Sequence, residues 1–412
     1  MKRDRWILAA AGLLGLLLAG MIGYLVWHMS QNPYVGAEFA GPAPEGVQEH
    51  EPAAAPESGA EPAGGLEKEG SPQGEAGTEA AGVTSGDPRE EEAPSGGAVS
   101  SDSPLRLVFA GDVLLSDHVL NAYGKAGNIS GVVDESLRSV IQSSDVFMVN
   151  QEFPFSLRGT AAADKQYTFR LPPEKVSLFN ELGIDIVTLA NNHALDFGAD
   201  ALLDTCQALD EAGIYRVGAG ANLDEAKKPV IMEIRGKKIG FLGASRVIPV
   251  GSWNATESGP GMLTTYDPAV LLREIEAARE ECDFLVVYVH WGIERDERPQ
   301  EYQRTLGRQY IDAGADIVVG SHPHVLQGLE YYKGKPIVYS LGNFIFGSSI
   351  PRTALLTVDW DGDNVRLKLV PGVSSGGYTR AVTDEEGIDQ FYEYISSISY
   401  GAVADGDGCR EQ

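Results

Sequence analysis

Five short, unbroken apolar runs set the strongest limit on what this 412-residue chain can fold into. They are LRLVFA (Leu105–Ala110), DVFMV (Asp145–Val149), DIVTLA (Asp185–Ala190), DFLVVYVH (Asp283–His290) and DIVVG (Asp316–Gly320). A strand with one wet face alternates apolar and polar residues. A run without alternation is buried on both faces, as strands are in a helix-covered parallel sheet. Amphipathic stretches separate the runs: Pro172–Gly183, Ala199–Gly213 and Asp267–Glu281, the last with Asp267 as cap and Pro268 at the first helical position. Two hairpins are expected as well, Val230–Gly243 turning at Gly236 and Ala354–Val370 turning near Gly362. This mixture predicts a layered α/β domain with about one core over residues 104–400, followed by a flexible tail over 401–412.

Each run gives way to residues that are polar and able to bind metal. Gly111 and Asp112 come after the first, Asn150, Gln151 and Glu152 after the second, and Asn191, Asn192 and His193 after the third. The fourth ends at His290 and Trp291, and the fifth leads into Ser321, His322, Pro323 and His324. Ligands of α/β sheets bind at the carboxyl ends of strands. Taken singly, each residue has a plain structural explanation: an aspartate caps a helix, an Asn-Asn pair makes a turn, a histidine is hydrogen-bonded scaffold. Five strand ends that all carry such groups by accident are the weaker account.

The donor set is imidazole nitrogen and carboxylate oxygen without thiolate. It suits Mn, Zn or Fe, as one ion or two, and excludes a cysteine zinc site. Cys206, Cys282 and Cys409 show no CxxC spacing, and the first two sit among apolar helical residues as buried free thiols do. Two metals that share a carboxylate are a device for phosphoester hydrolysis, with a free histidine to protonate the leaving group. Nucleic acid is excluded as a partner by the net charge of −27. Residues 31–103 hold 15 acidic and two basic side chains, so a surplus of 14 negative charges remains elsewhere.

In order along the chain, FAGDVLL, VNQEFP, LANNHALDFG, VVYVHWGIE, VGSHPHVLQGLE and YSLGNFIF resemble the CapA family of poly-γ-glutamate capsule synthesis proteins, which is similar to the calcineurin-like metallophosphoesterases. The likeness spans about Leu105 to Gly347. It implies an αββα sandwich of the metallophosphoesterase type and a site carried over residue by residue. Asp112 would be the first-metal carboxylate and Glu152 the bridge. Asn192, His290 and His322 would hold the second metal, and His324 would return to the first. His193 would be the acid or transition-state stabiliser rather than a ligand, with Asn191 and Asn343 lining the site. The superfamily's Asp-x-His opening is here Asp112-Val113-Leu114, so the first metal lacks a histidine unless His118 supplies one. Glutamate also stands where aspartate is expected.

For function, the resemblance implies a part in making, exporting or anchoring a poly-γ-glutamate capsule, with a metal-dependent hydrolase site. The alternatives are a non-catalytic component of a membrane capsule-synthase complex and a general extracellular phosphatase. The substrate would be an anionic capsule polymer or a phosphoester, and Arg170 and Arg246 are candidates for holding its charge.

The chain opens differently. Ile7–Trp27 is 21 uncharged, apolar residues, which at ~1.5 Å per residue reach roughly 30 Å, the depth of a bilayer core. No small-residue cleavage site closes the run, so a retained transmembrane anchor over residues 1–30 is expected. Lys2, Arg3 and Arg5 precede it and no Lys or Arg comes after it until Lys68. The N-terminus is thus expected in the cytoplasm and the C-terminal domain outside, on a single-pass cell-membrane protein. Residues 31–103, built of Pro, Glu, Ala, Gly and Ser, have too few apolar groups to offset ordering entropy and read as a disordered acidic linker.

Overall fold

The computed structural model describes residues 103–163 and 165–412. The expected anchor (1–30) and all but the last residue of the expected linker (31–103) lie outside them. Among the described residues no helix is long and apolar enough to cross a membrane.

All five apolar runs are strands. In chain order β1 (Leu105–Val113), β2 (Val146–Gln151), β3 (Ile186–Thr188) and β4 (Tyr215–Val217) are parallel neighbours. A small ladder joins β5 (Ala219–Gly220) to β8 (Gly261–Met262), and between them β6 (Val230–Ile234) and β7 (Lys237–Ser245) form the hairpin expected at Gly236. Next come the parallel strands β9 (Phe284–His290) and β10 (Ile317–Ser321), then a hairpin of β11 (Leu326–Tyr332) and β12 (Lys335–Leu341). The short β13 (Asn343–Ile345) leads to the long antiparallel pair β14 (Ser349–Trp360) and β15 (Val365–Ser375), then β16 (Tyr378–Ala381), β17 (Ala402–Asp405) and β18 (Gly408–Glu411). Two sheets result. The first runs β17-β18-β15-β14-β1-β2-β3-β4, with β13 on β1 and β16 on β15; the second runs β11-β12-β10-β9-β7-β6.

Register is fixed by an aspartate at the start of four apolar runs. Asp145, Asp185, Asp283 and Asp316 each accept, at 2.8 Å, the backbone N–H of Arg106, Phe147, Lys238 and Leu285 on the neighbouring parallel strand. Each also donates its own N–H to the carbonyl of that same residue. A carboxylate bonded to an N–H is stronger than a neutral pair, so the clamp locks each strand against a slip.

The helices are α1 (Asp117–Ala126), α2 (Glu135–Gln142), α3 (Ser177–Leu182), α4 (Ala199–Glu211), α5 (Leu223–Ala226), α6 (Ala269–Arg279), α7 (Glu301–Ala313) and α8 (Glu385–Ile398). One apolar layer joins β1 and β2 (Val108, Val149) to α3 and α4 (Phe179, Leu202, Leu209). A second fills the space between the sheets with Phe109, Met148, Tyr288, Val319 and Leu356. A third joins the second sheet to α6 and α7 through Leu271, Ile275 and Tyr310. The result is a four-layer helix–sheet–sheet–helix domain. Cys206, Cys282 and Cys409 are buried free thiols.

Three expectations need correction. Pro172–Gly183 begins as a 3₁₀ turn (Pro173–Val176) before α3, since two successive prolines remove donors from the first turn, and Gly183 stops it at φ 84°. Pro268 is the N-cap of α6 rather than its first residue, with Asp267 accepting from Ala269 N at 3.0 Å. The supposed flexible tail is the β17–β18 hairpin: Cys409 is in register with Leu367 of β15, and Ala402 and Ala404 are buried between the sheets. Gly401 and Gly408, at φ 60° and 137°, supply its turns. Truncation after Gly401 should therefore lower the thermal midpoint by several degrees, at ~2–4 °C per kcal/mol lost in a domain of this size; an unchanged melting curve would show that the hairpin adds nothing.

Candidate metal centre

Strand ends from both sheets meet at one place. Asp112, near the end of β1, donates its backbone N–H to Gly342 O at 2.8 Å. That approach needs glycine at position 111, where a Cβ would lie 1.8 Å from the same oxygen. Gly342 turns the chain at φ 58° between β12 and β13, and Asn343 pairs beside Asp112.

Asn150 of β2 is the hub. Its side-chain amide donates to Asp112 Oδ1 at 2.8 Å and to Glu152 Oε1 at 3.1 Å, and lies 3.2 Å from His290 Nδ1. Asn191 holds the hub, donating to Asn150 Oδ1 at 3.0 Å and Gln151 O at 2.7 Å, while its oxygen accepts from His193 N at 3.0 Å. His290 Nε2 is 2.9 Å from Asn192 Oδ1 and 3.5 Å from Glu152 Oε1. His324 Nδ1 is 3.3 Å from Asp112 Oδ2 and 2.8 Å from Asn343 Oδ1. His322 donates its backbone N–H to Asp112 Oδ2 at 3.3 Å, with its ring 4.6 Å from that of His290. His322 and His324 adopt φ 100° and 58°. For residues with a Cβ such conformations cost of order 1–3 kcal/mol each and gather at functional sites.

The cluster fits a divalent cation. Asp112, Glu152 and His290 are fully buried, and their ligand atoms lie within 4.8 Å of one another. Two protons on the Asn150 amide face three acceptor-type atoms, and Glu152 Oε2 and His322 Nδ1 are buried with no hydrogen-bond partner. Unpaired buried acceptors are costly, and a cation answers all of them at once.

The electrostatics agree. Burial and the adjacent Asp112 charge push the Glu152 carboxyl well above its usual range. Burial also acts to raise Asp112, but hydrogen bonds from His324 and Asn150 and the His324 charge outweigh it and hold Asp112 low. Burial opposes charge on His324 too, yet Glu152 and Asp112 win and push it up to about 10. Burial drives His290 well below the ordinary imidazole value and takes His322 down to about 3, so both are neutral, as metal-ligating imidazoles must be.

His193 stands beside this group in a network of its own. Its Nδ1 is 2.7 Å from Asp196 Oδ2 and 2.9 Å from Lys165 Nζ. Lys165 also donates to the Asp196 carboxylate and to Asn192 O. Burial is the main cause of the lowered His193 pKa.

Comparison with known proteins matches this arrangement to a family. Residues 106–348 fit the model of the bacterial capsule synthesis protein PGA_cap. The capsule biosynthesis protein CapA of Bacillus anthracis is 36% identical over 311 residues, 73% of this chain and 75% of the relative. The PGA biosynthesis protein CapA of Bacillus subtilis is 35% identical over 255 residues, 61% of this chain and 66% of its own. The chain belongs to this capsule-synthesis family. Among solved structures, the NAD nucleotidase of Haemophilus influenzae is similar over 74% of this chain and 57% of its own, at 11% identity and a TM-score of 0.36. At that level no residue is transferred.

The residues that the sequence nominates for this family's site all enter the two networks: Asp112, Glu152, Asn192, His290, His322 and His324 in the first, His193 in the second, with Asn191 and Asn343 supporting. His118 does not join, being exposed on α1. Leu114, where the superfamily's histidine would stand, is buried in the apolar layer with α3 and α4. Arg170 donates to Arg158 O at 2.9 Å and covers the Phe197 ring. Two participants escape a sequence reading, and Asn150, though named among the strand-end polar residues, shows no sign there of its role as hub. Lys165 lies in a loop without apolar periodicity. Asp196 sits three residues after His193, and that spacing is the one signal that could have found it.

Replacing His290 or His322 by alanine should each lower metal affinity by more than the ~10–100-fold typical of changes to groups that only support ligands, while His193→Ala should leave occupancy intact. Metal analysis of the three purified variants checks this, and equal occupancy in all three would refute the ligand assignment.

Proposed function

We propose that this protein is a membrane-anchored, extracytoplasmic member of a capsule-forming system, linked to poly-γ-glutamate, that cleaves or transfers a bond of an anionic polymer or phosphoester at a divalent metal centre. The observation that carries the reading is the buried Asp112–Glu152–His290 cluster with unpaired acceptors on Glu152 and His322. Asn192, His322 and His324 complete the ligand set in this reading, which leaves room for a second ion and for Mn, Zn or Fe. The four-layer fold then serves as a sandwich of the metallophosphoesterase type.

A bound divalent ion supplies Lewis acidity and activates water. The chain's own residues handle the proton. His193 Nδ1 lies between an acceptor, Asp196, and a donor, Lys165. Whichever tautomer the ring adopts, Nδ1 stays hydrogen-bonded, and Nε2 is left to give a proton to the leaving group or take one from water. Asp196, fully buried, fixes the ring's orientation.

His193→Ala should lower the rate ~10²–10⁴-fold with metal content unchanged, measured on metal-loaded protein with a panel of phosphoesters and γ-glutamyl polymers. Absence of turnover on every substrate by the loaded wild type would instead favour a non-catalytic component of a capsule-synthase complex. Breadth across small esters with no preference for polymer would favour a general extracellular phosphatase.

The location has its own test. A reporter fused after Ser103 should be active only outside the cytoplasm, because Lys2, Arg3 and Arg5 precede an apolar run with no Lys or Arg after it until Lys68. Cytoplasmic reporter activity would end the outward-facing reading.

A further inference from the structure

One arginine beside the metal centre is built into place and yet has no acidic partner. Arg246 directly succeeds β7, whose last residue, Ser245, is in register with His290, and Arg246 N donates to His290 O at 2.8 Å. Its guanidinium carbon lies 4.0 Å from the ring centre of Tyr266 and 5.1 Å from that of Tyr302. Tyr302 is fixed in turn, its hydroxyl accepting from Gly292 N at 2.8 Å, two residues beyond His290. Among the described residues the guanidinium makes one hydrogen bond, a long one of 3.5 Å to Thr265 O, and its Nε is buried without a partner.

This sets it apart from the other arginines that are not exposed. Among the described residues Arg106, Arg216, Arg235, Arg279 and Arg308, half-buried like Arg246, all have a carboxylate within ion-pair distance. Among the described residues Arg246 forms no ion pair. A guanidinium held on aromatic faces keeps its planar fork of donors oriented, so a ligand that meets it spends little entropy on ordering it. Tyr266, against the guanidinium, is 62% exposed, so the ring that holds the arginine also offers an apolar face to a ligand.

We infer that Arg246, clasped by Tyr266 and Tyr302, is an oxyanion-binding subsite for the part of the substrate that extends beyond the reacting bond. The inference rests on the proposed reading of the metal centre as the place where substrate is cleaved. The ligand chemistry is a carboxylate or phosphate oxyanion on a chain whose apolar segments can lie against Tyr266. A γ-glutamyl polymer offers both, one carboxylate and two methylenes per unit. Arg246 is tied to His290 O through its backbone N–H and Tyr302 to Gly292 N through its hydroxyl, so the subsite keeps a constant offset from the metal centre, as positioning a repeating polymer requires.

The test uses the full chain in detergent, loaded with metal, and titrates two probes by calorimetry: a γ-glutamyl oligomer of about ten units and inorganic phosphate. Arg246→Ala should weaken oligomer binding ~10–100-fold, the worth of hydrogen bonds to a charged group, with metal content and thermal midpoint unchanged. Arg246→Lys should recover only part, because it keeps the charge and loses the fork. Tyr266→Ala, at an exposed position that folding does not need, should weaken binding ~2–5-fold. An oligomer with its carboxylates methyl-esterified should bind wild type and Arg246→Ala alike. If Arg246→Ala loses phosphate affinity instead, the subsite stands and its anion is a phosphate. Unchanged affinity for both probes in Arg246→Ala and Tyr266→Ala overturns the subsite. Binding is read without turnover, so failure of the hydrolase reading shows separately, as intact Arg246-dependent binding with no product.

Discussion

A buried carboxylate is expensive unless something positive or proton-bearing faces each of its oxygens. Here two of them, Asp112 and Glu152, share a single asparagine amide in a space closed by both sheets. That demand shapes everything around them. Their charge draws His324 up to about 10, burial and the Asp112 charge push the Glu152 carboxyl well above its usual range, and burial together with the neighbouring histidines pushes His290 and His322 down. Two left-handed histidines and a glycine that permits near-contact of two backbones are strains this geometry tolerates to bring the donors together. A polar cluster so short of protons would be a poor way to stabilise a core, and a divalent cation is the partner that makes sense of it.

The rest of the fold keeps those donors in place. Each aspartate clamp at a strand start joins one parallel strand to the next, so the positions of the strand ends are inherited from their beginnings. Asp145 ties β2 to β1, Asp185 ties β3 to β2, and Asp316 ties β10 to β9. A slip of one residue would turn Asp112 or His290 to the opposite face of its sheet. Asp145 and Asp316 are themselves held by Arg235 and Arg279, so cations at this end of the sheets serve register.

Much of this is legible in the sequence, for a physical reason. Strands buried on both faces must be continuously apolar, so the polar residues at their ends stand out, and Asp112, Glu152, Asn192, His290, His322 and His324 can be named from position. Asn150 stands at a strand end too, but nothing in VFMVNQ says that its amide ties Asp112, Glu152 and His290 together. Lys165 is hidden for another reason: a loop residue reaches its partners through tertiary structure alone. The C-terminal hairpin escapes because GAVADGDGCRE has the glycine and aspartate content of a loose tail. Gly401 and Gly408 instead take positive φ on either side of β17, and the alternation of Ala402 and Ala404 with half-buried neighbours is too short a strand signal to stand against them.

The division of charge between the two ends of the strands bears on how an acidic domain can work on an anionic substrate. A surplus of negative charge repels a polyanion at long range, and salt screens that repulsion beyond ~8–10 Å. Attraction must then come from groups that act at contact. At the strand starts, arginines are neutralised by the register aspartates and unavailable. At the strand ends, the carboxylates are buried and partly neutralised by His324, while Arg246 rests on aromatic rings rather than on an acid. An aromatic face stabilises a guanidinium without cancelling its charge or occupying its in-plane donors. On the proposed reading, an anion that presents its charge beside Arg246 gains a contact that offsets the repulsion it meets from the domain as a whole.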